Sequence, residues 1–412
     1  MSVPSRLRED TAAPSRWPVL DGVRGAAVIA VVLWHVYRVV GDHVGMTARS
    51  VAEVWWPLGT LRFGVDAFFV LSGFLVVQSW RSIRARRSTW GASREFFTRR
   101  ILRIGPGYWV ALIVMVPLIA PALLASVQKL GLLVSINGYV DYRLPGRINV
   151  VFWSLTTELH FYLLLPLIAW LMTRAGRWPV YVCTLALTGW WWLHLPGDFA
   201  PSFIFGRLDQ FVVGAVAAEL VTRAPELRPS PIVRAARWPG MGVALAAALL
   251  ALGTYHGKRL GALHQSWFDP WMHPAVGVVC ALLIIRLVAP GPSRGLGRAL
   301  SHPVWRLLGI ISFSLYLWHY PILAFGFDAT GLDPRTAPWL SGVVLAALVV
   351  AALAVAALAY VWVERPALQL RRARRERVER EPVVTAEPGV PVEAGVAGSG
   401  ARADGDRAPQ PA

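Results

Sequence analysis

A chain of 412 residues that is 55% hydrophobic, has a positive mean hydropathy and carries a formal charge of +17 does not read as an ordinary soluble domain. The 41 basic residues outnumber the 24 acidic ones, yet they fall mostly in short connections between apolar runs. No soluble basic domain is visible, which excludes a nucleic-acid partner. The two cysteines, Cys183 and Cys280, lie in separate apolar runs and support neither a disulfide framework nor a metal site.

In chain order, residues 1–17 carry Arg6, Arg8 and Arg16 without the short apolar core of a signal peptide, so the first apolar run reads as a retained helix. Ten spans follow, at roughly 19–40, 64–80, 106–125, 152–172, 179–195, 203–221, 240–256, 272–289, 306–326 and 338–363. The last holds 26 residues without a charge, where about 20 suffice to cross a bilayer. The runs are continuously apolar rather than alternating, so helices and not barrel strands are expected. Tryptophans such as Trp55–Trp56 and Trp190–Trp192 suit interfacial belts.

Arginines crowd alternate connections. The second, 81–105, includes Arg81, Arg84, Arg94, Arg99, Arg100 and Arg103, whereas 196–202 and 327–337 hold only Arg335 between them. The expected fold is therefore an all-α polytopic transmembrane helix bundle of about ten spans with both termini cytoplasmic, multi-pass in the cell membrane. Residues 18–366 form its membrane domain. Residues 367–412 form a tail, first basic and then poor in large apolar residues, and 381–412 are expected to be disordered.

Ionisable groups inside spans are costly and mark candidate sites. Span one carries Arg24 and His35, eleven residues apart, which a helix brings to within about 20° of one face and separates by about 16 Å along the axis. Span two carries Asp66 at its outer edge and the small pair Ser72–Gly73, which admits a close backbone or a ligand. Arg100 and Arg103, three residues apart, share a helical face at the cytoplasmic surface and suit a phosphate-bearing ligand. Lipid headgroups would serve that pair equally well.

Glu158 enters span four about 9 Å from the outer face and His35 about 7 Å from the same face. Their shared depth suggests a carboxylate–imidazole pair of general-base type, with Tyr162 beside it, or a structural hydrogen-bonding node. His160 adds a second titratable group nearby. His319 also falls in the outer half, where a polar packing role suffices.

These blocks share an order: Arg24 and His35 in span one, then Asp66-Ala-Phe-Phe-Val-Leu-Ser-Gly-Phe-Leu75. Arg100-Ile-Leu-Arg103, Trp153-Ser-Leu-Thr-Thr-Glu-Leu-His-Phe-Tyr162 and Ser312-Phe-Ser-Leu-Tyr-Leu-Trp-His319 complete it. Together they resemble the acyltransferase 3 family of integral membrane acyltransferases over about 20–366. The Gly105-Pro106-Gly107 stretch and His160 depart from the expected pattern.

The resemblance implies transfer of an acyl group, acetyl or another short one, from cytoplasmic acyl-CoA to a hydroxyl. No cofactor would be bound, and acyl-CoA would be a co-substrate. The acceptor would be a sugar, a glycolipid or a glycosylated metabolite. His35 becomes the candidate base, or the nucleophile of a covalent variant, with Glu158 and Arg24 as catalytic partners. Arg100 and Arg103 become donor-binding residues, and Asp66, Ser72, Gly73, Tyr162 and His319 supporting ones. A proton-coupled transporter or flippase using intramembrane His and Glu is the rival reading; an inactive acyltransferase-like scaffold or sensor is a third.

Overall fold

The structure is a computed structural model that describes residues 3–12, 17–45, 56–86, 88–136, 148–194, 203–222, 230–259, 269–289 and 295–370. The expected disordered tail, 381–412, lies outside them. All regular elements among the described residues are helical, as the continuous apolar runs require.

The helices are α1 (Val3–Ala12), α2 (Pro18–His43), α3 (Gly64–Arg84), α4 (Thr89–Ile119), α5 (Val127–Val134), α6 (Phe152–Ala175), α7 (Arg177–His194) and α8 (Leu208–Thr222). They continue with α9 (Pro231–Ala236), α10 (Met241–Arg259), α11 (Asp269–Val288), α12 (Gly295–Leu300), α13 (Pro303–Ile310), α14 (Ser312–Asp328) and α15 (Pro338–Ala359). A tight 3-10 segment, Trp56–Phe63, leads into α3. Pro18, Pro303 and Pro338 stand in the first turns of α2, α13 and α15, where a missing N–H costs nothing.

Among the described residues, six helices are long and apolar enough to cross a membrane: Pro18–His43, Leu58–Arg84, Trp90–Ile119, Phe152–Arg174, Trp271–Val288 and Pro338–Leu370. A seventh is added if α13 and α14 form one broken span. Three expected boundaries change. The expected span 306–326 is broken at Ile311 by a 72° bend. The expected span 203–221 becomes a 3-10 turn, Ile204–Gly206, followed by the 15-residue α8.

The arginine-rich connection 81–105 is mostly helix, because α4 begins at Thr89, capped by Ser88, whose side chain accepts from the Gly91 N–H. It continues through Gly105-Pro106-Gly107 to Ile119. Prolines within membrane helices persist where neighbours satisfy the freed backbone groups. Pro321 in α14 shows how. It cannot donate to the Leu317 carbonyl, and the buried Asn149 Nδ2 donates to that carbonyl instead, at 2.7 Å.

Close helix contacts organise the bundle. On α3 and α8, a Cβ added at Gly73 would lie 2.0 Å from the Phe211 carbonyl oxygen, and one at Gly214 would lie 2.1 Å from the Val70 oxygen. The two backbones therefore touch reciprocally, and Phe161 of α6 stacks on Phe211 at 4.2 Å. On α2, Gly22 meets the Leu300 carbonyl, and Gly309 of α13 meets the Asp21 carbonyl. Small residues at such crossings substitute close van der Waals packing for the hydrophobic effect that lipid withholds. The outer helix α15 instead turns Trp339, Val350 and Leu358 outward.

Gly73→Ala is expected to push α3 from α8 and to lower stability by about 1–3 kcal/mol. Thermal unfolding in detergent measures it, and an unchanged midpoint would contradict the close approach.

Candidate active site

Among the described residues, two cavities within the bundle gather most of the candidate side chains. The first, about 250 Å³, is lined by Arg24 of α2, Ser72 of α3, Arg99, Arg100 and Arg103 of α4, and Glu158 and Tyr162 of α6. The Arg24 guanidinium donates to Ser312 Oγ at 3.0 Å, just past the break between α13 and α14. Ser312 Oγ in turn donates to the Gly309 carbonyl at 2.8 Å. Glu158 Oε1 accepts from Ser72 Oγ at 2.6 Å and from the Tyr162 hydroxyl. Arg100 lies 5.2 Å over both the Phe96 and Tyr162 rings, a stacking geometry that orients a guanidinium without neutralising it. Among the described residues Glu158 is the one carboxylate lining this cavity against four arginines, of which Arg99 is paired with Glu95, so the cavity stays electropositive and matched to phosphate groups.

The second cavity, about 430 Å³, is lined by His35 and Arg38 of α2, Arg62, Asp66 of α3, Arg207, and His273 of α11, among others. His35 meets the fully buried His319 of α14: Nδ1 of His35 lies 3.0 Å from Nε2 of His319 and 2.9 Å from the Val31 carbonyl. His319 Nδ1 lies 2.9 Å from the Leu315 carbonyl. A carbonyl only accepts, so a neutral His319 carries its proton on Nδ1 and presents Nε2 as an acceptor. His35 must then carry its proton on Nδ1, which leaves Nε2 with a lone pair. That is the tautomer a general base needs, oriented by its second nitrogen.

Beside the histidines lies a buried ionic cluster. Asp66 Oδ1 accepts from Arg207 at 2.7 Å, His273 Nδ1 at 2.8 Å and Gln210 at 2.6 Å. All four residues are at most 3% exposed. Arg207 lies over Trp153 at 5.7 Å, and Trp192 stacks on His273.

The cavities abut. Val65 and Tyr316 line both, so these two side chains divide them. Tyr316 is held by Ser154 Oγ at 2.7 Å and by the Val151 carbonyl at 3.2 Å.

The family model described as "Acyltransferase domain" matches residues 17–361. The chain belongs to this family. It is similar to the peptidoglycan O-acetyltransferase OatA of Listeria monocytogenes, with 24% identity over 74% of this chain and 49% of that protein. It is also similar to the O-acetyltransferase OatA of Staphylococcus aureus, with 26% identity over 76% of this chain and 51% of that protein. The chain thus spans about half the length of these relatives. No solved structure matches it. The apolar helices and the family together make it a multi-pass membrane protein.

Within this acyltransferase domain, most of the residues singled out in the sequence line one or other cavity. Arg24, Arg100, Arg103, Ser72 and Tyr162 line the first; His35 and Asp66 line the second, with His319 against His35. Arg24 and His35, on one face of α2, reach different cavities, as their axial separation requires. The expected pairing of His35 with Glu158 is overturned. Glu158 lines the arginine cavity, not the histidine one.

The reason is the start of α6. Asn149 and Val151 bond to Leu317 and Tyr316 in the second turn of α14, so α6 begins inside the bundle beside that turn and carries Glu158 about two turns further along. Gly73 serves helix packing rather than the cavity wall. His160 lines neither cavity; two residues from Glu158, it points about 200° round the helix.

The structure adds Arg207, Gln210, His273, Arg62 and Tyr316 to the site. Arg207 stands at the start of an apolar run, a signal that an intramembrane charge needs a partner. The others become visible only through their contacts.

Asp66→Asn removes the charge facing buried Arg207 and is expected to cost about 3–5 kcal/mol, with partial recovery in Asp66→Asn/Arg207→Met. Unfolding midpoints of the two variants decide it; equal midpoints would argue against an ionic role.

Proposed function

We propose that this protein is a membrane O-acyltransferase. It takes an acyl group, acetyl by analogy with the names of its relatives, from acyl-CoA and transfers it to a hydroxyl of a carbohydrate-containing acceptor. One observation carries the reading: an arginine-lined cavity and a histidine-lined cavity share the wall made by Val65 and Tyr316. Transfer across a membrane needs this division, with a polyanionic donor on one side and a base for the acceptor on the other.

In this reading Arg24, Arg100 and Arg103 hold donor phosphates on the cytoplasmic side, and the thioester reaches the Tyr316 level. The acceptor enters from the opposite face. His35 Nε2 takes the hydroxyl proton as the oxygen attacks the thioester carbonyl. The tetrahedral adduct expels the CoA thiolate, which takes up the proton from the imidazolium, giving an ester and free thiol. His319 accepts from His35 Nδ1–H throughout and stabilises the imidazolium. Glu158 positions Ser72 and Tyr162 at the donor cavity rather than acting on His35.

About ten spans, both termini cytoplasmic, residues 18–366 as the transferase domain and location in the cell membrane complete the proposal. Two abutting cavities would also suit a proton-coupled transporter, so the assay must separate the two readings.

Purified protein in lipid nanodiscs, given labelled acetyl-CoA and a carbohydrate acceptor, is expected to form an ester. His35→Ala should lower kcat about 10²–10⁴-fold. His319→Ala should impair kcat more than KM, and Arg103→Ala should mainly raise the KM for the donor. Undiminished transfer by His35→Ala would reject the base. In proteoliposomes, solute movement without donor consumption would favour the transporter.

A further inference from the structure

The second cavity carries more positive charge than proton abstraction requires. Among the described residues Asp66 is the one carboxylate lining it, and its Oδ1 already takes three donors, Arg207 among them. Two guanidinium groups remain. Arg62, on the 3-10 segment before α3, lies 5.7 Å over the Trp34 ring; among the described residues no carboxylate stands within ion-pair distance of it, and Asp66, already taken by Arg207, acts on it only at longer range. Arg38 pairs with Asp42 at 3.3 Å, with side chains 41% and 55% exposed. An exposed pair of this kind contributes about 0–1 kcal/mol and gives way readily to a better anion.

Both arginines could reach out to lipid headgroups, the ordinary fate of an arginine near a helix end. Their position argues otherwise, since each lines the cavity, and Trp34 holds the Arg62 guanidinium by its face. A guanidinium stacked on an aromatic ring still offers its edge to a carboxylate or phosphate in a two-pronged hydrogen bond. Arg38 follows His35 by three residues on α2, so the two share a face about 4.5 Å apart along the axis. Trp34, Tyr37, Trp153 and Tyr320 add flat apolar surfaces around the same space.

We propose that the cavity is built for an anionic acceptor: a hydroxyl compound bearing a carboxylate or phosphate, held by Arg62 and Arg38 about one helical turn from the oxygen that receives the acyl group. This rests on the reading of His35 as the acceptor-side base. The anion compensates the surplus charge and fixes which hydroxyl faces His35 Nε2.

The test is site-resolved arginine modification of the full chain in nanodiscs. Phenylglyoxal labelling at Arg62 and Arg38 is followed by peptide mass spectrometry, with exposed Arg298 as the internal control. Glucuronate, glucose 6-phosphate and glucose are the probes, and the first two distinguish carboxylate from phosphate. At twice its dissociation constant a bound anionic sugar should slow labelling at Arg62 about threefold, while glucose leaves it unchanged and Arg298 reacts equally throughout. In Arg62→Gln the anionic sugars should no longer protect Arg38, and Arg62→Lys should retain part of the protection.

Protection by glucose equal to that by the anions, or no protection by either anion, overturns the proposal. Labelling does not require turnover, so the two readings fail separately. Protection persisting in His35→Ala with transfer undiminished would reject the base and keep the anion site. Transfer that depends on His35 without any anion protection would reject the anion site alone.

Discussion

An ionised carboxylate inside an apolar bundle survives only with partners, and Asp66 has three on one oxygen. Because Arg207 and Gln210 stand just before and within the first turn of α8, and His273 on α11, this single acceptor ties two parts of the chain to α3. Charge-assisted hydrogen bonds of this kind are short and directional. They set the rotation of α3 about its axis, and hence which of its faces meets the cavities. With Asp66 turned toward Arg207, Ser72 is turned toward Glu158 and Gly73 toward the Phe211 backbone.

From that fixed orientation the chemistry separates into levels. His35 and His319 occupy one, Tyr316 with Ser154 and the Val151 carbonyl the next, and Arg24, Ser312 and Glu158 the third. Helix α14 serves all three: Ser312, Tyr316 and His319 recur at helical spacing along one side of it. Its abrupt start after Ile311 and its internal Pro321 are what let one helix do so. The first brings Ser312 to Arg24; the second leaves a carbonyl for Asn149, which anchors the buried start of α6. The N-terminal helix closes the far end, where Asp10 and Glu9 pair with Arg365, next to buried Glu364, which accepts from Ser314.

The helical class, the membrane environment and several of the charged residues lining the cavities were legible before any coordinates. Apolar runs leave few alternatives once lipid replaces water, because each backbone group must be satisfied within its own helix. Arg24 and His35 were legible as a pair for the same reason: one helix relates them, and its geometry is known in advance. Arg100 and Arg103 were legible as a face, although the segment carrying them read as a connection and is helix from Thr89. The pairing of His35 with Glu158 was misread, because depth in a span was counted from an assumed surface, while α6 starts at the level of Tyr316.

What the sequence determined by itself is therefore what a single helix decides: which segments are apolar, which ionisable residues they carry, and which of those share a face. Its ordered blocks also pointed to the family. What only the tertiary structure decided is every relation between helices. His319 rather than Glu158 orients His35, Arg207 and His273 hold Asp66, and Tyr316 with Val65 divides the two cavities. The physical reason is that helix rotation, tilt and starting depth are set by a few close contacts between distant residues, such as Gly73 on Phe211 and Asn149 on Leu317. Periodicity within one segment carries no record of them.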